Sequence, residues 1–274
     1  MICHTTASSV YEVPPVRVIG DSVAMRRVVR AALFAARGSA HVLISGEPGV
    51  GKVAIARFIH EHSHRSRLGF RTVNCKDLPE PLIESSLFGH VQGSFAGAYS
   101  DKPGSLESVP GGTVVLNDVD ALSATLQRRL LRFLETGEYQ RIGGISVQTE
   151  LDVRVIASTT ADLPALVNAG LFLEDLYRLL NGTGLLVPPL RERRDDIPSL
   201  VDHFAGQLVG SCPCFISGVD DSSIANAMRI AVDRDEWPGN LRELRAVVQR
   251  QLIGEVCLQR SPMRVAAAHR GLVH

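Results

Sequence analysis

Residues Gly46-Glu-Pro-Gly-Val-Gly-Lys52 have the spacing G-x-x-x-x-G-K. Glycine at such positions lets backbone N–H groups curl around phosphate oxygens with no Cβ in the way. A lysine directly after the last glycine reaches the β- and γ-phosphates of a nucleoside triphosphate. Gly46, Glu47, Pro48, Gly49, Val50, Gly51, Lys52 and Val53 are therefore the candidate nucleotide-binding residues. Val53 stands where a Ser or Thr hydroxyl commonly holds Mg²⁺, so the metal is weakly provided for.

Such a loop must sit between a buried strand and a helix whose positive end faces the anion. His41-Val-Leu-Ile-Ser45 reads as that strand, and a helix is predicted from Gly51 to about His62. Before them, Asp21 or Ser22 caps a helix through Arg37, with Val28, Val29, Ala32, Leu33 and Ala36 on its buried side. Gly38 stops it. Further strands are predicted at Phe70–Cys75, Thr113–Asn117 and Val153–Ala157. An amphipathic helix carrying Leu126, Leu130, Leu131 and Leu134 runs from Ser123 to Glu135. Strands alternating with helices imply βαβ units, hence an α/β three-layer sandwich with a mostly parallel sheet. After Pro188-Pro-Leu190 the strand signals fade, and helices follow at about Ile197–Val209, Ser222–Val232 and Asn240–Gly254. The organisation read from this is an unstructured lead-in at 1–16, a nucleotide-binding domain at 17–190, a small helical lid at 191–260 and a tail at 261–274.

The 274 residues are enough for one large domain or a large and a small one. Hydrophobic residues make up 45% and charged residues 21%, a globular, soluble balance. Lys+Arg and Asp+Glu both number 29, which argues against a broad nucleic-acid surface. No apolar run approaches a membrane span, and Met1–Val10 lacks the features of a signal peptide. The five cysteines, Cys3, Cys75, Cys212, Cys214 and Cys257, are spaced too irregularly for a zinc site and read as free thiols in a reducing cytosol. His60, His62 and His64 alternate, so on a helix they face different ways and read as a polar helix end.

Taken together, the ordered motifs resemble the AAA+ central domain of bacterial enhancer-binding proteins, which activate the RNA polymerase sigma-54 factor. They are the phosphate loop, Val73-Asn-Cys75, Glu84-Ser-Ser-Leu-Phe-Gly-His90, Gly93-Ser-Phe-Ala-Gly-Ala98 and Gly111-Gly-Thr-Val-Val-Leu-Asn-Asp118. Further along come Gly137–Gly143, Asp152–Ala157, Glu174-Asp-Leu-Tyr177, Pro188–Ile197 and Trp237-Pro-Gly-Asn-Leu-Arg-Glu-Leu244. The resemblance implies an ATPase that assembles with itself or related AAA+ subunits in a ring, usually a hexamer, with ATP between subunits and Mg²⁺ as cofactor. It implies a cytoplasmic protein whose loop with the G-A-F-T-G-A motif contacts sigma-54; here that loop is Gly93, Ser94, Phe95, Ala96, Gly97 and Ala98. Ser261–His274 are too few for the DNA-binding helix-turn-helix that normally follows, and no receiver domain fits before Val18, so a bare AAA+ module is expected.

The departures from the family pattern fall on chemical positions. The spacing from Gly111-Gly-Thr113 places Asn117 at the metal-holding Asp and Asp118 at the water-polarising Glu. An amide is a weaker ligand for a hard cation than a carboxylate, which leaves Asp118 as candidate metal ligand or base. Asn74 matches the asparagine that holds the catalytic Glu, and Thr160 replaces the asparagine of the first sensor. Both arginine-finger positions hold leucine, Leu173 and Leu179, with Arg178 one residue early. Arg242 matches the second sensor, which feels the γ-phosphate from the lid. Ala96 replaces the threonine of the sigma-contacting loop; Phe95, retained, is expected to be exposed for contact. Two readings follow: an ATP-binding regulator of transcription with weakened hydrolysis and sigma-54 contact, or a nucleotide-binding regulatory subunit working with an intact relative or independently of sigma-54.

Overall fold

The computed structural model describes residues 17–76, 78–145, 151–211, 221–234 and 236–259. The lead-in at 1–16 and the tail at 261–274 lie outside them, as do Cys3, Cys212 and Cys214. The first helix, α1 (Val23–Arg37), is capped by Ser22, whose side chain accepts the Met25 N–H. Asp196 accepts both the Ser22 N–H and its hydroxyl at 2.7 Å, tying the helix start to a segment far along the chain. The buried stripe is Met25, Val28, Ala32, Ala35 and Ala36. Leu33, expected inside, is exposed: it lies about 100° round the helix from Ala32, beside exposed Phe34.

Strand β1 (Val42–Ser45) leads into the phosphate loop and helix α2 (Lys52–Glu61). Strand β2 (Phe70–Asn74), helix α3 (Glu80–Phe88) and a short antiparallel pair, β3 (Gly89–His90) with β4 (Lys102–Pro103), follow. Then come β5 (Thr113–Asn117), α4 (Ala124–Thr136), β6 (Arg154–Thr159), α5 (Leu163–Asn168), α6 (Glu174–Leu180) and β7 (Thr183–Leu186). The main sheet has the order β2-β5-β6-β1-β7, and every pairing in it is parallel. The chain is an α/β protein with a helical C-terminal lid.

Alternation along the strands builds two cores, one on each face of the sheet. Val42, Ile44, Val115 and Ile156 pack with α1 and α2. Leu43, Val114, Leu116, Val155 and Ala157 pack with Leu126, Leu130 and Phe133 of α4 and Leu176 and Leu180 of α6. Leu131 and Leu134 are only partly buried on the flank of the second core. His60 is not part of a polar helix end. It falls on the buried stripe of α2 with Ile55, Ala56 and Ile59, and its Nδ1 lies 2.9 Å from Thr113 Oγ1. His62 and His64 are exposed.

A third apolar core belongs to the lid. Leu190, with α7 (Ile197–Ser211), α8 (Asp221–Asp233) and α9 (Asn240–Gln259), gathers Leu200, Val201, Ala227, Trp237, Leu244 and Val248. Among the described residues no helix is long and apolar enough to cross a membrane.

Candidate nucleotide-binding site

The phosphate loop connects β1, at the centre of the sheet, to α2 at the carboxyl ends of the strands, where parallel α/β sheets place their ligands. Gly46, Gly49 and Gly51 have φ of 153°, 80° and 101°, values L side chains rarely adopt. Gly51 is the N-cap of α2 and offers no side-chain cap, so the first-turn N–H groups are left for an anion. Lys52 is buried, and its Nζ donates to Gly46 O at 2.8 Å and Glu47 O at 3.0 Å. Burial pushes its ammonium below the usual lysine range, Asp118 and Asp120 pull it back up, and Arg242 pushes it down.

The loop is stitched to the lid residue by residue. Arg191 grips the Glu47 carboxylate through both terminal nitrogens, at 2.6 and 2.9 Å. Asn240 Nδ2 donates to Glu47 Oε2 and Pro48 O, while its Oδ1 accepts the Leu190 N–H at 2.7 Å. Leu241 N–H donates to Gly49 O, and Arg193 Nη2 to Val50 O. The Arg191 bonds, then Asn240, hold the Glu47 carboxyl below the usual carboxylate range. Asn240 adopts φ 50° although it is not glycine, a left-handed conformation that asparagine tolerates best.

One cleft of about 660 Å³ gathers Pro48, Gly49, Gly51, Lys52, Val53, Asn74, Asn117, Asp118, Thr160 and Arg242. Its other lining residues include Lys76, Ser158, Phe204, Leu241 and Arg245, which were not singled out from sequence. A neighbouring pocket of about 250 Å³ shares Gly51, Phe204, Leu241 and Arg245 and adds Val18, Ile19, Val50, Ile55, Leu200 and His203. Its lining is mostly apolar. Leu200 and Phe204, both on α7, carried no motif signal; only their meeting with Val18 and with the start of α2 marks them. Gly46, Glu47 and Thr160 also line a larger cavity of about 870 Å³ between α1 and β7.

At the ends of the central strands, Asn74 and Asn117 are register partners on β2 and β5. Asn74 Oδ1 accepts the Lys76 N–H at 3.4 Å, and Asn117 Oδ1 accepts the Ser158 hydroxyl at 3.0 Å. Asp118 follows with φ 52°, starting a tight turn in which Asp120 Oδ1 accepts the Thr159 hydroxyl at 2.6 Å. For a magnesium ion this donor set is poor: an amide oxygen already bonded, one carboxylate at Asp118, and the alkyl side chain of Val53, 42% exposed where a hydroxyl would serve.

Arg178 is not among the residues of this cleft. It is exposed on α6 and pairs with Glu174 at 2.5 Å. Leu173 and Leu179, which the resemblance would place at finger positions, are partly buried, and Leu173 packs on the core under α4 and α6. In the segment from Gly93 to Ala98, Phe95 does not project freely. It is half-buried with its ring edge-to-face on His90 at 5.0 Å, and His90 Nδ1 lies 2.7 Å from Ser85 Oγ. Ala96 is exposed, Ala98 is buried, and Gly93 N–H donates to Ala98 O.

A family model of the sigma-54 interaction domain matches residues 18–185, and one of the AAA+ ATPase lid domain matches residues 191–257. The chain belongs to the sigma-54 interaction domain family. Among curated relatives, the phenol regulator MopR of Acinetobacter guillouiae is 41% identical over 247 residues, covering 90% of this chain and 43% of that protein. The regulatory protein AtoC of Escherichia coli is 40% identical over 236 residues, covering 86% of this chain and 50% of its own length. The chain thus spans about half the length of the curated relatives it matches. A crystal structure of NtrX from Brucella abortus in complex with ADP superposes with a TM-score of 0.75 at 33% identity, over 86% of this chain and 51% of that one. NtrX was also solved with ATP.

Proposed function

We propose that this family member binds ATP or ADP in the cleft under Lys52 and regulates transcription from the cytoplasm, with hydrolysis and sigma-54 contact weakened relative to intact family members. The observation that carries this reading is the split within one cleft. The phosphate cradle is complete, with three left-handed glycines, an uncapped helix start and a buried lysine. The hydrolytic positions around it are altered together: Asn117 is held by Ser158, Asp118 is one methylene shorter than glutamate, and leucines fill both finger positions. Arginine fingers contribute roughly 10³–10⁵ in rate where measured.

A second reading is favoured by the same leucines. A ring subunit without fingers still presents its nucleotide to a neighbour that has them, so mixed rings with an intact relative restore turnover at its site. Measuring ATP turnover beside nucleotide affinity tests both. Tight binding with turnover well below the ordinary enzyme range of about 1–10³ per second supports the proposal. Ordinary turnover by the lone protein would remove it, and a rate that rises only on mixing with an intact relative selects the second reading.

A further inference from the structure

We infer that this site binds its nucleotide without a magnesium ion, the phosphate charge being met by lysine and arginine side chains of the same cleft. The inference rests on the nucleotide-binding reading above. Mg²⁺ demands near-octahedral oxygen coordination and keeps several waters, so in a nucleotide site the protein's share is the one or two oxygen ligands it sets beside the phosphates. Here the two positions that would supply them are Val53, an alkyl group, and Asn117, a neutral amide whose oxygen already accepts a bond from Ser158.

The charge balance of the cleft points the same way. Lys52, Lys76, Arg242 and Arg245 line it with one carboxylate, Asp118, and Asp120 acts on Lys52 from just outside the lining. Arg242 and Arg245 are three residues apart on α9 and so share a helix face, while Lys76 enters the cleft from the end of β2. Arg242 lies close enough to Lys52 to disfavour its charged form, a repulsion that an anion between them relieves. Lysine and arginine bind phosphate through charge-assisted hydrogen bonds and need no bridging metal. In this account Arg245 and Lys76 carry charge that a metal would otherwise supply.

The test is calorimetric titration of the full chain with ADP and with ATP, in excess EDTA and in Mg²⁺. The dissociation constants are expected to agree within about twofold between the two buffers. Arg245→Ala and Lys76→Ala, both at exposed positions, are each expected to weaken metal-free binding by about threefold or more. Val53→Thr combined with Asn117→Asp should install a preference for the magnesium complex of about tenfold. Tenfold tighter binding by the unaltered protein in Mg²⁺ overturns the inference, and so do Arg245→Ala and Lys76→Ala proteins that bind as the parent does. No binding in either buffer is a different result, which removes the nucleotide-binding reading itself.

Discussion

At the scale of single residues, the site turns on whether a side chain's first task is chemistry or packing. Lys52 does both. Its ammonium is parked on Gly46 O and Glu47 O, bonds that incoming phosphate oxygens can replace without moving the helix. Lys52→Ala removes that charge and leaves the glycines in place. Nucleotide affinity should fall tenfold or more, about 1.4 kcal/mol, in a direct titration, and superimposable curves for the two proteins would refute the role. Leu173 shows the opposite allocation, since its apolar side chain packs against the core under α4 and α6, and Leu179 is partly buried. Cys75 is chemically quiet, its thiol pushed up to about 12 by burial and by the nearby Asp118 and Asp120.

At the scale of elements, the close approach of the lid to the phosphate loop governs the site. A Cβ on Gly49 would sit 2.4 Å from Gly239 O, and φ there is 80°. Gly49→Ala is therefore expected to push the start of α9 away and break the Leu241-to-Gly49 bond. Faster amide hydrogen exchange in α9 together with weaker nucleotide binding would register this, and unchanged exchange would show that the contact is dispensable. The segment between β3 and β4 supports a separate expectation. Ala96 is exposed and has no hydroxyl, while Phe95 is held against His90. Ala96→Thr should increase capture of sigma-54 in the presence of a nucleotide transition-state analogue; equal capture by the parent would mean the loop is competent as it stands. Most of these elements were legible in the sequence. The strands β1, β2, β5 and β6 announced themselves as short β-branched runs, and the glycine-rich turn between β1 and α2 carried its own spacing. Strand β7 was missed because Thr-Gly-Leu-Leu is short, contains glycine and sits at the sheet edge, where apolar alternation is weakest. Phe95 was expected to be open because its neighbours are small and polar; its ring contact with His90 depends on the β3–β4 pair, which local sequence does not reveal. The apolar pocket beside the cradle was invisible for a related reason, since its walls come from segments far apart in the sequence that meet only in the fold.

At the scale of the whole molecule, two histidines, the buried His60 and the partly buried His41, couple stability to pH. His41 and His60 are both lowered from the ordinary value of about 6.5, chiefly by burial, so the folded protein binds fewer protons there than the unfolded chain. Stability is then fully present above about pH 7 and declines as pH falls through the unfolded value toward the folded ones. Urea midpoints should drop between pH 7.5 and 5.5, and His60→Gln, which can keep a bond to Thr113, should flatten the slope. The lid adds a feature of another kind. Its apolar core is separate from the two that sandwich the sheet, and polar bonds at Glu47, Pro48, Gly49 and Val50 fasten it to the phosphate loop. Net hydrogen bonds contribute only about 0.5–1.5 kcal/mol each, so the seam is weaker than either body it joins. A scanning calorimeter should accordingly record the lone protein melting in two overlapping steps, lid before sheet. A nucleotide spanning the cleft touches both sides of the seam, and by mass action it should draw the two endotherms together into one.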